Sequence, residues 1–108
     1  MSIASIFLEG FAVTDGEISF TEKSGLDLYK VTIAVPGRHE GEETSFFNVR
    51  AWGKLARVGK ALITKGIYVR IKGSLKQRRF VVEDPDGTKR EVVTIGIVAN
   101  SIDIPHEK

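Results

Sequence analysis

Residues 44–76 of the chain, TSFFNVRAWGKLARVGKALITKGIYVRIKGSLK, contain three successive elements. Apolar and polar side chains alternate through 44–52, which predicts a strand with one buried and one exposed face. The face predicted to be buried carries Phe47, Val49 and Ala51. The opposite face carries Phe46, Asn48, Arg50 and Trp52. Two large aromatic residues therefore share the polar side of this strand.

The periodicity changes from strand to helix after Trp52. Within 54–64 the apolar residues Leu55, Val58 and Leu62 lie at positions i, i+3 and i+7, and Lys65-Gly66 then supplies a cationic last turn and a glycine stop. Alternation returns at Ile67, which predicts another strand with an apolar face and a wet, basic face. The apolar face is predicted to carry Ile67, Val69, Ile71, Gly73 and Leu75.

Three further strands are predicted, at 3–13, 28–35 and 92–104. Glycines interrupt the first and last of these, and a glycine inside a strand suggests a bulge or a sharp bend. Asp84-Pro85-Asp86-Gly87 predicts the turn of a hairpin between 79–82 and 89–93. Residues 36–45 are predicted to form a polar loop.

The order of elements is three strands, one short helix and two strands. An all-β chain with one helix after its third strand matches the OB-fold, a five-stranded Greek-key barrel whose open face binds oligonucleotides, here with a long hairpin. The SH3-like barrel is the structural competitor, and the helix favours the OB-fold. At 108 residues, we expect one domain spanning 1–108.

The distribution of charge indicates a polyanionic partner. Residues 44–82 contain no Asp or Glu, although the segments on both sides are acidic. Ten of the sixteen basic residues lie in this window: Arg50, Lys54, Arg57, Lys60, Lys65, Arg70, Lys72, Lys76, Arg78 and Arg79. A block of one sign creates a local field that attracts polyanions. Charge alone is equally compatible with a solvated basic face.

Aromatic residues on the basic face make the prediction more specific. Phe46 and Trp52 share the polar face of the third strand, and Phe80 follows Lys76 and Arg78. Stacking a base of any identity on an aromatic ring contributes ~1–3 kcal/mol, while cations between the rings neutralise phosphates. This combination predicts a surface that binds single-stranded DNA. The alternative places these aromatics in a dimer interface or a second small core.

The central motif resembles that of a known family. The run Phe46-Phe47-Asn48-Val49-Arg50-Ala51-Trp52-Gly53-Lys54-Leu55-Ala56 looks like the signature of bacterial single-stranded DNA-binding proteins, the SSB family. Lys65-Gly66 and 69–80 are similar to the next part of the family pattern, whereas Leu8-x-Gly10 and Asp15-Gly16-Glu17-Ile18 resemble its beginning more loosely. The likeness extends from about Ile6 to Asn100.

The resemblance implies roles for particular residues. It places the stacking aromatics at Phe46, Trp52 and Phe80, and DNA-lining cations at Lys54, Lys65 and Arg78. With the outward residues of the two central strands, the predicted DNA-binding set is Phe46, Asn48, Arg50, Trp52, Lys54, Lys65, Arg70, Lys72, Lys76, Arg78 and Phe80. The resemblance also implies a homotetramer, with a dimer as the fallback, that protects single-stranded DNA during replication, recombination and repair.

The chain departs from the family pattern in three places. Arg38 and His39 stand where many relatives have a tryptophan, so we expect that stacking site to be absent. Phe11 occupies a position that is usually polar. The sequence ends at Lys108 without the family's Gly/Pro/Gln-rich tail and acidic tip. We therefore expect a truncated or minimal version, or a protein that does not recruit replication and repair proteins through a tail.

Other functional classes find little support in the sequence. There is no cysteine, and neither of the two histidines, His39 and His106, has a carboxylate at ligand spacing, so we expect no enzymatic activity, metal or cofactor. No apolar run approaches the ~20 residues that span a bilayer, and the N-terminus lacks a secretory signal. We expect a cytoplasmic, nucleoid-associated protein. The remaining alternative is a tail-less dimeric primosome-type adaptor or a protein-interaction OB domain.

Overall fold

The computed structural model describes residues 4–105, which form six strands and one helix. Their bounds are β1 Ser5–Ala12, β2 Glu17–Thr21, β3 Leu26–Val35, β4 Ser45–Trp52, α1 Lys54–Leu62, β5 Tyr68–Glu83 and β6 Lys89–Asp103. The expectation of a mostly β chain with one short helix between the two central strands is confirmed. β2, a short and mostly exposed strand, was not predicted from the sequence. Ile3, its predicted start of the first strand, lies outside the described residues.

Five strands form a closed ring. The sheet order is β1-β5-β6-β4-β3-β2, and an additional pairing between β1 and β3 closes the circle, with β2 attached outside it to β3. The β4–β6 pair is parallel, at Val49↔Ile97 and Arg50↔Val98. The other pairs are antiparallel. The predicted number of strands is therefore correct for the ring itself.

Gly10 lies where β1 changes partner. Gly10 pairs with Val69 of β5, and the next residue, Phe11, pairs with both Tyr68 of β5 and Ala34 of β3. A Cβ atom on Gly10 would lie 2.3 Å from the carbonyl oxygen of Ala34, so only glycine permits this close approach. No register shift occurs at Gly96, the other glycine at which a bulge or bend was predicted; the shift in the β5–β6 register lies between Lys72 and Gly73.

The core fills the ring, and α1 covers one of its ends. Its most deeply buried residues come from three strands and the segment after the helix: Tyr29, Ile33, Val49, Ile63, Val69 and Ile71. The helix presents Ala56 and Gly59 to the core. The spacing of Leu55, Val58 and Leu62 correctly predicted a helix, but Val58 and Leu62 are exposed and do not form its buried side. Small residues face inward because α1 lies too close to β3 for larger ones.

The last two strands continue beyond the ring as a long hairpin. The register runs without a further shift from Gly73↔Ala99 to Glu83↔Lys89. The turn forms as predicted, with the Asp84 N–H donating to the Thr88 carbonyl at 2.8 Å and the Gly87 N–H donating to the Asp84 carbonyl at 2.9 Å. Leu75, predicted to face the core, is 39% exposed because β5 leaves the ring near this residue.

Candidate nucleic-acid interface

The outer face of β4 carries the predicted polar and aromatic residues. Val49 and Ala51 are buried on the inner face, whereas Phe46 is 63% exposed, Asn48 is exposed, and Arg50 and Trp52 are half-buried. The alternation predicted from the sequence is thus confirmed. Trp52 lies six positions after Phe46, which corresponds to about 20 Å along a strand at ~3.3 Å per residue. This face is long enough to accommodate several nucleotides.

A basic groove crosses the sheet beside β4. It has a volume of ≈ 280 Å³ and is lined on its polar sides by Asn48, Arg50, Lys76 and Arg78. The parallel β4–β6 pairing brings β4 next to β6, and β6 in turn pairs with β5, so three strands contribute to one surface. Gly96 forms part of the floor, where an added Cβ would meet no atom within 4 Å.

The electrostatic character of the groove is uniform. Among residues 4–105, no Asp or Glu lines it, and its cations Arg50, Lys76 and Arg78 take part in no ion pair. Other basic residues of the acid-free window pair with acids of other strands: Arg57 pairs with Asp27 of β3 at 2.9 Å, and Arg79 pairs with Glu91 of β6 at 3.3 Å. The groove therefore retains positive charge that is available to an anionic ligand.

A second depression lies on the β3 side of β4 and shares Asn48 and Arg50 with the groove. It has a volume of ≈ 590 Å³ and includes Lys30 and Thr32, which lie directly opposite Arg50 and Asn48 in the strand register. Thr32 Oγ1 donates a hydrogen bond to Asn48 Oδ1 at 3.1 Å, so the Asn48 amide nitrogen still has its two hydrogens to donate. Lys30 was not among the predicted binding residues, although its alternation with Val31 along the strand places its side chain on the outer face.

The three predicted stacking residues differ in their surroundings. Phe80 is 45% exposed and lies on the same face of β5 as Lys76 and Arg78, four and two residues away. Phe46 is the most exposed of the three. Trp52 lies opposite Leu28, which is only 7% exposed, so part of the indole surface is already covered. All three retain ring surface that a base can contact.

Arg70 and Lys72 lie outside the groove. Together they line a separate depression with Phe7, Ser101 and Asp103. Arg70 forms ion pairs with Glu9 at 3.2 Å and with Asp103 at 4.0 Å. These acids come from β1 and β6, which flank β5, so the acid-free window in the sequence does not correspond to an acid-free surface.

A hydrogen-bonded group surrounds Arg70. Tyr68 Oη donates to Glu9 Oε2 at 2.5 Å. This hydrogen bond, together with the nearby Arg70 guanidinium, lowers the pKa of the Glu9 carboxyl, and the same hydrogen bond raises the pKa of the Tyr68 hydroxyl. Arg70 is therefore held in place by internal partners.

Lys54 and Lys65 flank the helix. Lys54 is its first residue and follows Gly53, whose positive φ of 63° turns the chain from β4 into α1. Lys65 lies in the loop before β5, where its backbone N–H donates to Asp15 Oδ1 at 2.7 Å. Both lysine side chains are exposed, and neither lines the groove.

The described residues give no sign of a metal site. Between residues 4 and 105, no group of three His, Cys, Asp or Glu side chains could hold a metal ion. His39 is exposed in the β3–β4 loop beside Arg38, and His106 lies outside the described residues. No helix in this part of the chain is long and apolar enough to cross a membrane.

The closed strand ring, the helix between β4 and β5, and a basic groove flanked by aromatic rings define a nucleic-acid-binding protein of the OB-fold class. Residues 3–104 match the model of the single-strand binding protein family. The chain belongs to this family of non-enzymatic DNA-binding proteins. The resemblance and the fold class inferred from the sequence are confirmed.

Individual relatives support the same assignment. The chain is 35% identical over 103 residues to a single-stranded DNA-binding protein of Thermotoga maritima, covering 90% of this chain and 70% of the relative. It is 35% identical over 107 residues to single-stranded DNA-binding protein 1 of a Synechocystis species, covering 96% and 84%. Against single-stranded DNA-binding protein 1 of a Nostoc species the identity is 36% over 76 residues, covering 70% of this chain and 63% of the relative, less than two thirds of that protein.

Proposed function

We propose that this chain binds single-stranded DNA without regard to sequence, along the outer face formed by β4, β6 and the β5 hairpin. The observation that supports this proposal is the groove in which Asn48, Arg50, Lys76 and Arg78 converge from two strands. Its free cations suit phosphates, and the exposed rings of Phe46 and Phe80 lie on the same outer face.

The two kinds of residue have different tasks in this proposal. Arg50, Lys76 and Arg78 neutralise phosphates and release condensed counterions, which gives affinity without information about the base. Phe46, Trp52 and Phe80 stack on bases, which every base permits because each has a flat π-face. Asn48 adds two amide donors between the two depressions. Binding that combines phosphate neutralisation and stacking is tolerant of sequence.

The remaining predicted residues are proposed as outer contacts. Lys54, Lys65 and Lys72 are exposed and have no ion pair among the described residues, so each can meet a phosphate on a strand that continues past the groove. Arg70 is proposed to contribute least, because Glu9 and Asp103 already neutralise it. The family resemblance supports Lys54 and Lys65 in this role.

Assembly and cellular role belong to the same proposal. The chain forms a homotetramer, or a dimer as the smaller alternative, partly through β1. Within residues 4–105, the segment Ser5–Gly10 pairs only with β5, so its other edge has backbone groups that can pair with another strand. Such an assembly protects single-stranded DNA in the cytoplasm, at the nucleoid, during replication, recombination and repair.

The fluorescence of Trp52 tests the proposal directly, because it is the chain's single tryptophan. Titration with oligo(dT) of increasing length should quench its emission, and mass measurement of each complex should give the number of subunits. A dimeric adaptor or protein-interaction domain would keep its aromatics between subunits and leave the emission unchanged. Unchanged emission together with unchanged fluorescence anisotropy of labelled oligo(dT) would refute DNA binding by this face.

A further inference from the structure

Four strands place one residue each in a single row across the outer face of the ring. Phe11 of β1 pairs with Tyr68 of β5 on one side and with Ala34 of β3 on the other, and Ala34 in turn pairs with Phe46 of β4. Residues directly opposite each other in an antiparallel pair point to the same side of the sheet. These four residues, called the aromatic row below, therefore share the outer face, with one alanine between Phe11 and Phe46.

Phe11 is supported from one side only. It is 43% exposed, although the residues before and after it are buried. Its ring packs edge to face against Tyr68, with centroids 5.2 Å apart and ring planes at 65°. The Tyr68 hydroxyl is held by Glu9, and Glu9 is itself paired with Arg70 at 3.2 Å. The methyl group of Ala34 is too small to cover the other side of the Phe11 ring.

The gap above Ala34 has a width that suits a base. Adjacent strands lie ~4.8 Å apart, so the backbones at Phe11 and Phe46, two strands apart, are separated by roughly 10 Å. A flat ring held between two others needs about 7–8 Å between their planes, twice the optimal separation of carbon atoms. The two side chains reach this separation by leaning toward each other, and Phe46, 63% exposed, has room to do so.

The aromatic row continues a surface that already carries cations. The next outward pair along β3 and β4 is Thr32↔Asn48, and the pair after it is Lys30↔Arg50. All four residues line the depression of ≈ 590 Å³ on the β3 side of β4. A DNA strand whose phosphates meet these two cations therefore has neighbouring bases within reach of the aromatic row.

We propose that Phe11 is a further stacking residue for single-stranded DNA, and that one base lies over Ala34 between the rings of Phe11 and Phe46. The inference rests on the proposed function and adds to it a base site that reaches β1, outside the groove. Two exposed aromatic rings side by side mark an interaction site, and stacking accepts a base of any identity. A contact between copies of the chain is the alternative occupant, and the measurements below separate the two.

A tryptophan in the aromatic row reports on stacking directly. In a Trp52→Phe background, Phe11→Trp makes position 11 the only tryptophan of the chain. Oligo(dT) of about six nucleotides, within the ~4–16 that one such domain covers, should quench its emission. Phe7→Trp in the same background is the matched control. Phe7 lies on the same face of β1 and is 54% exposed, but it pairs with Lys72 and is about 13 Å from Phe11 along the strand. Its emission should change little.

Removing or filling the site should weaken binding. Phe11→Ala should weaken the complex with this oligo(dT) by about 5- to 140-fold, the effect of losing one base–aromatic stack, and Phe7→Ala should match the parent. Ala34→Ile fills the gap with a branched side chain that strands accept well, so it should weaken binding while stability in urea denaturation is kept. Fluorescence anisotropy of labelled oligo(dT) at one salt concentration measures each complex.

Three results would overturn the inference: unchanged emission at position 11 while labelled oligo(dT) binds; equal quenching at positions 7 and 11; or Phe11→Ala and Ala34→Ile variants that bind like the parent. A Phe11→Ala chain that binds DNA normally but associates more weakly in sedimentation equilibrium would place Phe11 between copies of the chain instead. A parent that binds no oligo(dT) of any length would refute the proposed function, and the inference with it.

Discussion

Gly59 of α1 and Tyr29 of β3 meet where the helix lies closest to the sheet. A Cβ atom on Gly59 would lie 2.8 Å from the Tyr29 ring, and Tyr29 itself is 1% exposed. The Tyr29 hydroxyl donates to the Asp15 carbonyl at 2.6 Å and so holds the ring in place. The position of α1, which begins directly after Trp52 and Gly53, depends on this contact.

Replacing Gly59 with alanine should destabilise the domain. Alanine is favoured over glycine in a helix by ~1 kcal/mol, but overpacking a core typically costs about 1–3 kcal/mol. Because the Tyr29 ring cannot move without losing its hydrogen bond, we expect a net loss of free energy of unfolding in urea denaturation. Gly96→Ala is the steric control, since no atom lies within 4 Å of its added Cβ. A Gly59→Ala variant as stable as the parent would contradict this packing.

The Tyr29 hydroxyl should make stability depend on alkaline pH. Burial, with the nearby Asp15 carboxylate, raises its pKa from 10.0 to about 12. A raised pKa for a group that is neutral when protonated means that folding favours the protonated form. The stability from this group is therefore complete below pH 10 and is lost between pH 10 and 12, by at most ~1.4 kcal/mol per pH unit. Denaturation of the parent and Tyr29→Phe should show a steeper fall for the parent.

The same ionisation can be followed by ultraviolet absorbance. The chain has two tyrosines, and the Tyr68→Phe variant leaves Tyr29 as the only one. Its phenolate band should appear well above pH 10 in the folded protein. A normal midpoint near 10 would show that Tyr29 is more solvated than its contacts indicate.

Phe46 and Phe47 are adjacent residues of one type on opposite faces of β4, so they separate stacking from packing. Phe46→Ala, Trp52→Ala and Phe80→Ala should each weaken oligo(dT) binding by ~1–3 kcal/mol, measured by fluorescence anisotropy, while the domain stays folded. Phe47 packs against the core, and its alanine variant should lose about 3–5 kcal/mol of stability. If the Phe46, Trp52 and Phe80 variants all bind like the parent at matched salt, the stacking proposal is wrong.

The faces of β4 could be predicted from the sequence because a strand has a side-chain period of two, and Phe46 and Phe47 must then point to opposite sides. The neutralisation of Arg70 by acidic residues could not be predicted from the sequence. Its partner Glu9 is 61 residues away, and the contact depends on how β1 and β5 align. The packing side of α1 could not be predicted either, because the close approach of Tyr29 selects glycine at position 59, whereas hydrophobicity favours Leu62 as the buried residue. The sequence therefore predicts which face of a strand a residue occupies, but it does not predict which residues of different strands come into contact.

Two arginines of β5 provide the final prediction, which separates the groove from the rest of the basic surface. Arg78 lines the groove without an ion pair among residues 4–105, whereas Arg70 is paired with Glu9 and Asp103. For a single strand, log K should fall against log[salt] with a slope of about −0.7 per phosphate contacted. Arg78→Glu should weaken binding to dT and dA strands equally and flatten this slope by about one or two such units, because phosphate contacts carry no base information.

Arg70→Glu should change the slope less, and duplex DNA should bind far more weakly than single-stranded DNA. Salt titrations of oligonucleotides of one length measure all of these. Equal effects of the two substitutions, or comparable affinity for duplex, would show that DNA does not follow the groove.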